Sequence, residues 1–239
     1  MIGGDATRYI LLLSSLPYLP PPLRQQRFIP PSRIQLERAL AMLDETDRLR
    51  LQDLNEILLW SHLAIEQDDA SLVRRADQVM DALGSDFLRQ ILLERLEMRS
   101  LVAALRRREQ GRQPQPGEPW GIGRYRGRIL ANWHDPAFGL GHLFGWLPDA
   151  ARLLRADDSL GLDRLLMMES WRCLDRVDER HEFGFDAVAV YVMRWDILDR
   201  LARQHVEQAV SRFESMVNLA LADQPPLFVA AAPLGEIHV

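Results

Sequence analysis

Six histidines (His62, His134, His142, His181, His205 and His238), one cysteine (Cys173) and an arginine-rich stretch carry most of the potentially reactive chemistry in this 239-residue chain. A zinc-protease pair needs two histidines one helical turn apart with a glutamate between them, and no histidine here has that setting. His181-Glu182 is a bare dipeptide. His134, Asp135 and His142 form the one cluster with metal-ligand character. Two imidazoles and a carboxylate would hold zinc or iron if another helix added a ligand, which would make the chain a metal-dependent helical hydrolase. On the opposing reading His134 and Asp135 satisfy backbone groups while Trp133, Phe138, Phe144 and Trp146 fill a core. Cys173 and His181 lie about two helical turns apart, beyond direct reach on a straight helix, so a buried thiol is expected.

The paired carboxylates Asp68-Asp69 and Asp157-Asp158 stand beside expected helix starts, where anions favour the helix dipole. Gly121-Ile-Gly123-Arg124 resembles part of a glycine-rich phosphate loop, but lacks the preceding strand and the later acidic residue that such a loop needs. No cofactor and no small-molecule substrate are expected.

All 29 basic residues are arginine. Without lysine the chain has neither a Walker-type phosphate loop, a Schiff-base lysine nor a kinase phosphate-pairing lysine. The net charge is −5, which argues against nucleic acid as a partner, because that affinity comes mainly from neutralised phosphates. Seven arginines between Arg106 and Arg128 face only Glu109 and Glu118, a local +5 that leaves −10 for the rest. That basic connector would suit an acidic partner or form a solvated loop. A single cysteine builds no intramolecular disulfide, so a reducing cytoplasm is the expected compartment.

Positioning these groups falls to helices. The apolar run at residues 8–13 is short and is followed by prolines, so it reads as a short strand or extended arm; it reads neither as a signal peptide nor as a membrane span. Ser32 with Gln35 forms a capping box for a helix over 33–43. A second helix fits Leu51 to Trp60. Ser71 caps a third that ends at Gly84, and Ser85 caps a fourth of about 24 residues that stops at Gly111. Prolines and glycines over 111–123 break the chain. Residues 133–146 read as short helical turns, and Pro148 suits the first turn of a helix. Helical spacing resumes from Leu162 to Val177, and the segment from Phe185 to Ala222 contains neither Gly nor Pro. Its apolar positions, from Val188 through Phe213 and Met216, suit a long helix along a bundle. The expected fold is therefore an all-α bundle over 1–239. It has an N-terminal helical part at 32–110, a connector at 111–131 and a C-terminal helical part at 132–222.

Two stretches resemble a known family. Glu97-Met-Arg-Ser-Leu-Val-Ala-Ala-Leu-Arg-Arg-Arg108 is similar to the acidic-x-x-Asn-Leu-x-x-x-Leu-Arg-x-Lys pattern of the central-stalk C subunit of V/A-type ATPases, with Ser100 for Asn and Arg108 for Lys. Phe183 to Arg200 resembles a later helix of that family, with Trp195 in place of an acidic residue. The opening Tyr9-Ile-Leu-Leu-Leu-Ser-Ser-Leu-Pro-Tyr18, with Trp133 and Phe144 to Pro148, resembles a bacterial family encoded beside V-type ATPase genes. The resemblance implies a noncatalytic helical spacer, or an assembly factor, between the central shaft and the membrane rotor ring. Its partners would be rotary-ATPase stalk and rotor-ring subunits, with attachment at the inner membrane only through them. The interface expected on that reading is Arg106, Arg108, Arg124, Arg126 and Arg128 with Trp133 and Trp146. A helical adaptor unrelated to ATPases is the remaining alternative.

Overall fold

A computed structural model describes residues 3–22, 29–58, 69–115, 118, 120–175 and 184–222. Among them the fold is all-α and contains no strand. Nine α-helices follow one another among the described residues: α1 (Gly3–Ser15), α2 (Arg33–Leu40), α3 (Glu45–Leu58), α4 (Asp69–Ala82), α5 (Asp86–Glu109), α6 (Arg126–Ala131), α7 (Leu147–Arg155), α8 (Ser159–Leu174) and α9 (Phe185–Ala222). None of them is long and apolar enough to cross a membrane. Contacts divide the chain into two units, residues 1–199 and 200–239.

Local signals set most helix ends. Ser32 accepts from the Gln35 amide while the Gln35 side chain accepts from the Ser32 amide, the reciprocal arrangement that starts α2. Ser85 caps α5 by accepting from the Leu88 amide at 3.3 Å. The expected helix of about 24 residues is found at 24. Gly84 adopts φ +64 before it, a left-handed geometry that strains a residue with a Cβ. Asp158 caps α8 through the Gly161 amide at 2.7 Å, as the carboxylate-pair reading anticipates. Ser71 instead lies inside α4, which begins at Asp69.

The N-terminal arm is a correction: residues 8–13 are helical, inside α1. Thirteen residues make a marginal helix in isolation, and tertiary contacts supply the difference. Leu12 is fully buried. Tyr9 donates its hydroxyl proton to the buried carboxylate of Asp47, while Arg8 reaches Asp44 at 2.9 Å. The following proline segments are also held, because Tyr191 donates to the Pro17 carbonyl and Trp195 to the Pro31 carbonyl, each at 2.8 Å.

Within residues 1–199, α5 lies at the centre and packs against α3, α4, α6, α7 and α8. Leu88, Leu92, Leu101 and Leu105 are fully buried along it, and Ile91, Leu96, Met98 and Val102 are nearly so. A helix apolar on most sides has to sit in a core, and this one does. On α9, Val188, Val192, Trp195 and Leu198 are buried as expected. Phe213 and Met216 are each 63% exposed, contrary to the packed position their spacing suggests. Periodicity identifies which face of a helix is apolar and is silent on whether a neighbour covers it.

Candidate functional site

The basic connector is not a free loop. Left-handed Gly111 ends α5, and the Arg112 amide returns to the Arg107 carbonyl at 2.8 Å. From there the chain runs back along α5 as a strap. Arg107 pairs with Glu118 at 2.7 Å and lies over the Trp120 ring. Four residues on, the Ile122 amide donates to the Ser100 hydroxyl at 2.6 Å. The strap closes at Glu97, a carboxylate only 2% exposed. Arg124 gives it three hydrogen bonds: its backbone amide (2.9 Å) and Nε (2.8 Å) to Oε1, and Nη2 to Oε2 at 3.0 Å. That carboxylate keeps the Arg124 guanidinium even more firmly protonated than usual.

Two glycines permit the approach. At Gly121 (φ +60) an added Cβ would stand 3.1 Å from Ser100, and at Gly123 (φ +103) it would stand 2.2 Å from Glu97 Cγ. The fragment that resembled a phosphate loop thus brings backbone against a helix.

This geometry sorts six of the seven arginines, and the seventh, Arg112, is exposed. Arg124 serves Glu97, and Arg107 serves Glu118. Arg108 donates to the Asp135 and Pro136 carbonyls at 2.6 and 2.9 Å and sits 4.4 Å over the Phe138 ring, where burial lowers its pKa. Arg106, Arg126 and Arg128 are exposed. Arg126 makes one long contact to the Glu118 carbonyl at 3.5 Å, and Arg106 and Arg128 have no ion pair among the described residues. Trp133 and Trp146, 6% and 7% exposed, belong to the core. Trp133 meets Trp120 edge-on at 6.4 Å, and Trp146 meets Phe144 at 6.2 Å.

His134 and His142 are exposed. Asp135 Oδ1 accepts from the amides of Ala137 (2.8 Å) and Gly139 (2.9 Å), the backbone-satisfying role set against the metal reading. Among the described residues no group of three or more His, Cys, Asp or Glu is placed to hold a metal ion. His181 lies outside them, so its relation to Cys173 does too. A cavity of about 200 Å³ lies between α2, α3, α5, α8 and α9, bordered by Leu36, Leu58, Leu174 and Trp195. Its charged rim includes Arg33 and Glu37, which pair with each other at 2.8 Å.

Sequence reasoning missed Glu97 as a structural anchor. An acidic residue at helical spacing from Ser100, Leu101, Ala104 and Leu105 on a buried face was the available signal, since a buried carboxylate needs a partner. No family model, curated protein or solved structure matches this chain.

The strap carries an acid sensitivity. The Gln115 amide and then the Arg107 guanidinium hold the Glu118 carboxyl below its usual range; the Gly139 and Ala137 amides do the same for Asp135. A carboxyl depressed in the fold stabilises it above the unfolded pKa, and this contribution is lost as pH falls through the folded value. Near-ultraviolet circular dichroism of the tryptophans is expected to report loosening below about pH 4. In a Glu118→Gln, Asp135→Asn variant that transition should flatten.

Proposed function

We propose that this chain is a noncatalytic subunit or assembly factor of a bacterial V/A-type rotary ATPase, a helical spacer between the central shaft and the membrane rotor ring. The observation that carries the reading is the role of the stretch resembling the C subunit. Within it, Glu97 and Ser100 grip the strap, while Arg106 near the end of the same helix and Arg126 and Arg128 beyond the strap stay exposed. Arginines held on a braced helix and strap present fixed positive charge to an acidic surface, which favours orientation and rate of docking.

The test is affinity capture of the tagged chain from its own detergent-solubilised cells, with co-eluting proteins identified by mass spectrometry. Stalk or rotor-ring subunits are expected to co-elute. Their absence, under conditions where another subunit recovers the intact ATPase, would sink the proposal. The Arg106→Glu, Arg126→Glu, Arg128→Glu variant should fold with a stability change of only about 0.5 kcal/mol per site and lose those partners. Retained capture would remove this basic surface from the interface. Arg124 does not belong in that variant, since its replacement opens the strap and confounds folding with binding.

A further inference from the structure

The exposed face of α9 in residues 200–222 carries an inference independent of the ATPase reading. Val206, Phe213 and Met216 are each 63% exposed. Their spacings of seven and three residues place them along one seam of a helix, the pattern by which two helices pack side chain into side chain. Glu207 and Glu214 are also exposed and fall beside that seam rather than on it.

We infer that this part of α9 pairs antiparallel with the same part of a second copy of the chain. Charge order selects both partner and direction. Arg200 and Arg203 precede the seam, and Glu207 and Glu214 lie along it. With Val206 of one copy level with Phe213 of the other, Arg203 lies about 3 Å along the axis from the level of the other copy's Glu214. The twofold axis repeats the relation at the opposite end. A parallel pair would instead carry this charged flank of the two copies to opposite sides of the seam, and the arginine–glutamate match would be lost. The antiparallel pair is also closed, because the same face serves both copies and no sticky end remains for filament growth.

Sedimentation equilibrium of the full chain across a concentration series tests this. A monomer–dimer equilibrium is expected. Phe213→Glu should weaken it by about 100-fold or more, because each dimer would bury two unpaired carboxylates. Phe213→Ser, which removes the ring without adding a charge, should weaken it in the same direction, and far-ultraviolet circular dichroism should show the helix intact in both. Orientation is read in a Cys173→Ser background with a short bis-maleimide. Chains carrying Val206→Cys should cross-link to chains carrying Phe213→Cys, and neither kind to itself. A monomer at every concentration, a dimer indifferent to both Phe213 variants, or self-cross-linking of the Val206→Cys chain would each overturn the inference.

Discussion

Gly123→Ala is expected to destabilise the fold by about 4 kcal/mol, the largest effect of any methyl group added to the strap. Two costs combine. A side chain at φ +103 is strained by roughly 1–3 kcal/mol. Its Cβ would also sit 2.2 Å from Glu97 Cγ, so the carboxylate must leave the position from which it holds Arg124. Glu97 is 2% exposed and the strap covers it, which leaves it little room to retreat. At about 2–4 °C per kcal/mol for a chain of this size, the melting temperature should fall by roughly 8–16 °C. Thermal unfolding followed by circular dichroism measures it, and an unchanged midpoint would show that the strap does not lie against Glu97.

Glu97→Ala comes second, at about 2 kcal/mol. Breaking a fully buried ion pair costs more, about 3–5 kcal/mol, because it strands a charge. Here the Arg124 side chain is 53% exposed and water can take over its guanidinium, so the Coulomb part is small. What remains is the Arg124 amide without its acceptor and the space the carboxylate leaves. The two substitutions should be strongly non-additive. Once Glu97 is shortened, Gly123→Ala meets no Cγ and adds only its backbone strain. The double variant should therefore be more stable than the sum of the singles predicts, by about 2 kcal/mol. Simple additivity in denaturant unfolding would count against direct contact between these two sites.

Much of the architecture is legible in the sequence. The limits of α5, the left-handed Gly84, the capping box at Ser32 and the start of α7 at Pro148 were all legible. The helical state of residues 8–13 is not legible, because a short apolar run ahead of a proline segment looks the same whether or not Asp47 waits to receive Tyr9. The seven arginines were legible as a group and not as individuals. Arg124 and Arg126 stand two residues apart in one basic stretch, and one reaches a buried carboxylate 27 residues earlier while the other faces water.

The all-α class, most helix ends, the break after Gly111 and the concentration of positive charge around the end of α5 are written in the order of residues alone. These follow from hydrogen bonds and side-chain spacings that operate within about one helical turn. Which charges are spent inside the molecule and which apolar faces are covered is settled by long-range packing. It buried Trp133 and Trp146, joined Arg108 to the turn at Asp135, and left Arg106, Arg126, Arg128 and the seam of Phe213 exposed. Those outcomes depend on the path of the strap along α5 and on the neighbours of each helix, and residues this far apart in sequence meet only after the chain has folded.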